Sequence, residues 1–449
     1  MNPNLVSISP SVIRALNDRK KEGAIDLGMG QPVLKPELYP LVRAVAWVEE
    51  HGCPYSPNAG FLELRSAIAR HFQYPYLSEP GTVCVTIGSQ EALYLAVKGV
   101  LDPAKDEALV VTPTFPAYQK LCHMLGVPVR EVGLGPETGF APDAERVLAA
   151  VGPRTRLVAL ASPCNPTGRV WSEAELRRLT AGLEALPEPV YLLSDEVYSE
   201  LYFGPERPAS PASFYRHTLV AGSLSKSCAL TGLRLGWLMA PSELSPTLLK
   251  AHQLVASCAD TIAQRAAIEI FKAPELLAAH RDHYRAQHAA LVAALAAEGL
   301  AYVPPEGSFY CLLPLPERWT RDPMAAALQL MDRHNVVTIP STVFGADGFL
   351  RLSFVAAPEL LREGIRRIAA FFREPEVRDI MWLLALNMMI VPFGTVTFCY
   401  MRRQMMFGSR MGFVGAYSCA MKSASVMVGS STAARSSPRN SASAPVGFG

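Results

Sequence analysis

A lysine flanked by small hydroxyl residues, Ser223-Leu224-Ser225-Lys226-Ser227, is followed eight positions on by an arginine, in Thr231-Gly232-Leu233-Arg234-Leu235-Gly236. A lysine amine can form a Schiff base with an aldehyde, and hydroxyls beside an arginine can hold a phosphate. Upstream, Ser194-Asp195-Glu196-Val197-Tyr198 closes an apolar run. A carboxylate there is costly to bury unless paired, and a protonated ring nitrogen would pair it. Gly88-Ser89-Gln90 opens a helical pattern. Its unpaired N–H groups and the positive end of the helix dipole suit an incoming anion. Arg351 alternates with apolar residues in Phe349-Leu350-Arg351-Leu352-Ser353-Phe354. An arginine on the inner face of a strand needs an anionic partner, and a carboxylate offers a bidentate one.

Together with Ser162-Pro163-Cys164-Asn165-Pro166-Thr167-Gly168, these runs resemble the class I/II aminotransferases, the fold-type I enzymes that use pyridoxal 5′-phosphate. Each run alone is weak; their joint order is what carries the likeness. The resemblance covers about residues 10–374 and implies that Lys226 is the Schiff-base lysine, with Asp195 on the pyridine nitrogen. It implies that Asn165 and Tyr198 donate to the phenolic oxygen of the cofactor, and that Phe115, in Pro113-Thr114-Phe115-Pro116-Ala117-Tyr118, stacks on the ring. Ser89, Gln90, Ser223, Ser225 and Arg234 would form the phosphate cradle, the choice between Ser223 and Ser225 staying open. Arg351 falls where the family clamps the substrate α-carboxylate, with Asn165 beside it, and Gly30 resembles the glycine that lets substrate approach. Tyr55, opening Tyr-Ser-Pro-Asn-Ala-Gly60, would reach the phosphate of a neighbouring subunit, which implies a homodimer with shared sites.

Bland readings stand beside several of these: an Asx-turn for Asn165, a core aromatic for Tyr198 or Phe115, a turn residue for Tyr55. His280, His283 and His288 read as a solvated helix face rather than a metal site. Gly28-Met29-Gly30 lacks the third glycine of a dinucleotide fingerprint. Two departures from the family pattern matter. The loop before the clamp strand reads Pro340-Ser341-Thr342-Val343-Phe344-Gly345, where relatives often have Pro-Gly. Gln90 stands where one aspartate-using subgroup carries a lysine, so aspartate is not the expected substrate. The leading expectation is transamination between an amino acid and a 2-oxo acid. A β-lyase acting on carbon–sulfur bonds is the alternative, because it needs the same lysine, aspartate and arginine. A cofactor-sensing regulator is discounted, since the resemblance begins near residue 10 and leaves no space for a DNA-binding module.

The elements that must position these groups alternate. Strand-like runs lie at 83–87, 108–112, 157–161, 190–193 and 219–221, with helical patterns at 62–72, 88–100 and 172–183. Ser172 with Glu175 reads as a capping box. This alternation predicts a mostly parallel sheet with helices on both faces, and chemistry beyond the carboxyl ends of its strands. A helix is expected from Ser9-Pro10, a strand-like run over 25–32, and a long, mostly helical stretch over 246–300. Strands at 308–313 and 349–354 and helices at 324–333 and 359–372 predict a smaller α/β unit. The division expected is 1–44, an N-terminal arm and part of the small domain; 45–265, the large cofactor-binding domain; 266–374, the small domain; and 375–449, an atypical tail.

At 449 residues, half hydrophobic, the chain can bury large cores, and its net charge of +2 gives no reason to expect nucleic acid. Nine cysteines without a Cys-x-x-Cys pair suit a reducing compartment, hence the cytoplasm. No metal is expected. The start, Met1-Asn2-Pro3-Asn4-Leu5, does not read as a secretory signal. After Asp379 there are six basic residues and no acidic one, so residues 1–379 carry a net charge of −4. Met381 to Tyr400 is uncharged and long enough for a bilayer, but Asn387, Pro392 and Gly394 weaken a span, and a membrane role is not the expectation. A non-native extension, a tail anchor and an additional packed element remain open for this tail.

Overall fold

The computed structural model describes residues 1–375. The tail beyond them, with every reading offered for it, lies outside the described residues. Residues 1–374 form one compact unit. After short helices at Pro3–Val6 and Val12–Asp18, the chain enters β1 (Ile25–Asp26) and then the helices Tyr39–His51 and Leu62–Phe72. Seven strands follow: β2 (Val83–Ile87), β3 (Glu107–Thr112), β4 (Val129–Gly133), β5 (Thr155–Ala161), β6 (Tyr191–Asp195), β7 (Thr218–Ser223) and β8 (Leu235–Met239). They form one sheet in the order β2-β8-β7-β6-β5-β3-β4, in which only β8 runs antiparallel to its neighbours. The strands read as continuous apolar runs because both faces are covered. Leu157 and Ala159 of β5 join the core on one face, while Val158 and Leu160 join the core on the other.

A three-stranded sheet, β11-β12-β9, is built from β9 (Tyr310–Pro314), β11 (Ile339–Pro340) and β12 (Phe349–Ser353); β1 pairs in parallel with β10 (Val336–Val337). Three helices, Ser245–Ala256, Thr261–Lys272 and Pro274–Ala297, precede it. A separate core of Leu27, Leu291, Phe309, Leu313, Leu352 and Ile365 joins this sheet to its helices.

Several elements differ from the sequence expectation, each for a visible reason. The second helix starts at Val12, because Ser11 rather than Ser9 caps it by accepting the Arg14 N–H. The run 25–32 is strand only over Ile25–Asp26; beyond it, Asp26 Oδ1 takes the Gly28 and Met29 N–H groups at 3.0 and 2.9 Å and turns the chain. Ser172 caps its helix through the Glu175 N–H at 3.2 Å, but Glu175 does not reach back. It accepts instead from the Ala144 N–H at 2.7 Å, at the start of a neighbouring helix. His280 is buried rather than solvated. It shares the inner stripe of its helix with Leu277, Tyr284, Gln287 and Leu291, and His283 and His288 are half-buried. Among the described residues, no helix is long and apolar enough to cross a membrane, no His/Cys/Asp/Glu cluster could hold a metal, and the seven cysteines are free.

Candidate active site

Because β8 runs antiparallel, its beginning lies at the same sheet edge as the ends of β2 and β7; the register pairs Leu235 with Ile87 and Gly236 with Ser223. The helix Gly88–Val100 therefore begins beside Arg234 and the Ser223–Ser227 turn. Gly88 has φ +72°, and a Cβ added there would lie 2.6 Å from Arg234 Nη2, so the glycine lets the guanidinium close on the helix start. Arg234 donates to the Thr231 carbonyl at 3.0 Å and has no carboxylate partner among the described residues. Ser223 Oγ accepts the Ser225 N–H at 3.0 Å and lies 2.7 Å from both the Leu235 carbonyl and Ser225 Oγ. Ser89 is half-buried and Gln90 exposed in the first turn of the helix.

Asp195 ends β6 next to β7 and is 6% exposed. It forms no ion pair within the described residues; Oδ2 accepts the Tyr118 hydroxyl at 2.5 Å and Oδ1 the Val197 N–H at 3.2 Å. Burial pushes its carboxyl upward, while those two donors and the Lys226 charge oppose the shift. Its neighbour Glu196 points to a different set of partners, the hydroxyls of Tyr74, Ser194 and Ser210 at 2.6, 2.8 and 2.5 Å. Adjacent carboxylates are thus anchored separately, which fixes the strand end.

Lys226 is half-buried on the turn Leu224–Ser227. Its Nζ donates to the Gly30 carbonyl at 2.8 Å and lies 5.9 Å from the Phe309 ring centroid. Arg351, 1% exposed on β12, reaches the same N-terminal turn: Nη2 donates to the Gly28 carbonyl, and Nη1 to Asn165 Oδ1 at 3.0 Å. It pairs with no carboxylate among the described residues, and its Nε is buried without an acceptor. Burial lowers the guanidinium pKa from its ordinary value. Phe115 is half-buried against the core beside the sheet. Tyr55 is 89% exposed and, among the described residues, makes no hydrogen bond to any of these groups.

Two residues at the site escaped nomination. Tyr118, 2% exposed, was visible in the run around Phe115, but nothing local shows that its hydroxyl meets a residue 77 positions away. Tyr310, 3% exposed, places its hydroxyl 3.1 Å from that of Tyr198, and its ring lies 4.4 Å from the Arg351 guanidinium carbon. Burial first, and then Tyr310, push the Tyr198 phenol well above its usual range.

The chain matches the family model for aminotransferase class I and II over residues 49–368. It is 35% identical over 375 residues to the aspartate/prephenate aminotransferase of Thermus thermophilus, across 81% of this chain and 96% of that protein. It is 33% identical over 384 residues to a probable N-acetyl-LL-diaminopimelate aminotransferase of Bacillus subtilis, across 83% and 95%. The solved structure of Thermus thermophilus aspartate aminotransferase with maleate matches with a TM-score of 0.77 at 31% identity, over 83% of this chain and 99% of that one. These relatives are all aminotransferases, which favours transamination over the carbon–sulfur lyase alternative. The chain belongs to the class I and II aminotransferase family and is a pyridoxal 5′-phosphate-dependent transaminase, moving an amino group between an amino acid and a 2-oxo acid.

Proposed function

We propose that Lys226, Asp195 and Arg351 carry this transamination. The observation behind the reading is the convergence of two cations, Lys226 and Arg351, on the single turn Gly28–Gly30, the arginine buried and without a carboxylate. A buried guanidinium left in that state costs several kcal/mol, a cost that a substrate α-carboxylate would offset. The residues also fit the cofactor. Asp195 is a buried carboxylate with no cation paired to it among the described residues, as a protonated ring nitrogen requires. Arg234, closed on a helix start at Gly88, offers donors matched to a phosphate.

When bound, pyridoxal 5′-phosphate supplies an aldehyde for the amine and a ring that withdraws electrons from the α-carbon. The chain's own groups do the rest. Lys226 Nζ takes and returns the proton at the substrate α-carbon. Asp195 keeps the ring nitrogen protonated, and Tyr118 holds that carboxylate ionised and aligned by donating to Oδ2. Arg234, Ser89, Gln90, Ser223 and Ser225 hold the phosphate. Asn165 and Tyr198 donate to the phenolic oxygen, and Phe115 covers the ring. Arg351 holds the α-carboxylate through its fork, with Asn165 and Gly30 beside it.

In the same reading the enzyme is a cytoplasmic homodimer. Leu38, Tyr39, Val42 and Val45 are 57–64% exposed along one side of the helix Tyr39–His51 and its cap, apolar surface that a second copy would cover. The 89% exposed Tyr55 would enter the partner's phosphate site. Residues 45–265 act as the cofactor-binding body, and 266–374, with 1–44, as the body that carries Arg351.

Gln90 brings an amide and no charge to the cradle, so donors without a second carboxylate are favoured. A screen of amino donors against a 2-oxo acid tests this. Neutral donors should exceed aspartate in kcat/KM, and Gln90→Lys should narrow the gap; aspartate as the best donor of the wild type would contradict it.

A further inference from the structure

Tyr310 joins groups that the reading above treats as separate. It lies on β9 opposite Ser353 of β12, one diagonal step from Arg351, so both side chains share one face of the small sheet. The Arg351 guanidinium carbon lies over two rings, 4.4 Å from the Tyr310 centroid and 4.7 Å from that of Phe344. A cation–π contact of this kind helps to hold a guanidinium in place without consuming its N–H donors. The Tyr310 hydroxyl meets that of Tyr198 at 3.1 Å. A Cβ on Gly30 would lie 1.7 Å from the same oxygen, so the N-terminal turn presses on the phenol and leaves it little freedom.

We infer that Tyr310 is a positioning residue for both the substrate and the cofactor: its ring aligns the Arg351 fork, and its hydroxyl orients Tyr198. The inference rests on Arg351 as the carboxylate clamp and Tyr198 as a donor to the phenolic oxygen. A phenol carries one proton. Tyr198 donates to Tyr310 in this structure; if Tyr198 instead gives its proton to the cofactor, the contact is kept only with Tyr310 as the donor, which strengthens Tyr198 as a donor. The two functions of Tyr310 are therefore separable by substitution, the ring serving the clamp and the hydroxyl serving Tyr198.

The test uses the holoenzyme of Tyr310→Phe, Tyr310→Leu and Arg351→Lys, with two readouts besides turnover. These are the affinity for propionate, an unreactive carboxylate, and the pH midpoint of the visible absorbance of the bound cofactor. Tyr310→Phe should keep propionate affinity and the KM for amino acid within about twofold, while the midpoint moves upward and kcat falls. Tyr310→Leu should move the midpoint alike and also weaken propionate about three- to thirtyfold, the range expected for losing a desolvated cation–π contact. Should the leucine variant fail to fold by circular dichroism, Tyr310→Met replaces it, and the phenylalanine arm stands alone for the hydroxyl. An unmoved midpoint in Tyr310→Phe overturns the role of the hydroxyl. Unchanged propionate affinity in folded Tyr310→Leu, with weakened affinity in Arg351→Lys, overturns the role of the ring and leaves the clamp standing. Unchanged affinity in Arg351→Lys overturns the clamp itself and the inference with it.

Discussion

Asp195 has an electrostatic cost as well as a proposed role. Burial raises its carboxyl above the ordinary value of 3.8, so the folded cofactor-free chain binds that proton more readily than the unfolded chain. Stability from this group is therefore greatest at low pH and falls as pH rises through the folded value. Asp195→Asn should remove the penalty. The cofactor-free variant should melt at a higher temperature than wild type at neutral pH, and the gain should shrink as pH falls toward 3.8. The same change should lower kcat about 10²- to 10³-fold, because the ring nitrogen loses its counter-charge. Thermal melts across pH, paired with rates, check both halves; an unchanged melting temperature would show that Asp195 is not under strain. At this scale the sequence spoke through residue types in local runs. Lys226, Asp195 and Arg351 could be nominated because the joint order of the runs that hold them resembles a family. Tyr310 was not, since its partner Tyr198 lies 112 positions away and a tyrosine in an apolar strand looks like ordinary core.

The proposed phosphate cradle is a property of elements rather than of one side chain. It forms where the helix Gly88–Val100, the end of β7 and the start of β8 meet, an edge set by the antiparallel course of β8. Gly88 is a point of close approach: φ is +72° and Arg234 lies against it. Gly88→Ala would strain the backbone by about 1 kcal/mol or more and displace the guanidinium. We expect cofactor affinity to fall about tenfold or more, with little change in secondary structure, as a cofactor titration followed by fluorescence would show; unchanged affinity would remove Gly88 and Arg234 from the cradle. The elements themselves were largely readable, because the helix Leu62–Phe72 and strand Val83–Ile87 follow clean apolar periodicities. The misreadings came from side chains with more than one option. Ser11 competed with Ser9 as a cap, and Glu175 found a neighbouring helix instead of its own. His280 was judged by its charged neighbours, although the spacing Leu277, His280, Tyr284, Gln287, Leu291 already traced a buried stripe.

For the whole molecule, the apolar side of Tyr39–His51 and the protruding Tyr55 bear on assembly. If the proposed homodimer forms through this surface, replacing Val42 and Val45, 62% and 57% exposed, with aspartate should leave the fold intact and shift the enzyme from dimer to monomer in light scattering. Activity should fall with dimer content, since in the proposed assembly Tyr55 then loses its partner site. A fully active monomer would sever the link between assembly and catalysis. Nothing in the local sequence marked this surface; exposed valines emerge only once the helix has a buried side against Thr261–Lys272.

The central claim is that Lys226 carries the covalent attachment of the cofactor and the proton transfer at the α-carbon. Borohydride reduction of the holoenzyme, followed by digestion and peptide mass spectrometry, tests it most directly. The cofactor's mass should be fixed on the peptide containing Lys226, and Lys226→Ala should retain none while losing at least about 10³-fold in transamination rate. Attachment at a different lysine, or a Lys226→Ala enzyme with wild-type rate, would contradict the account.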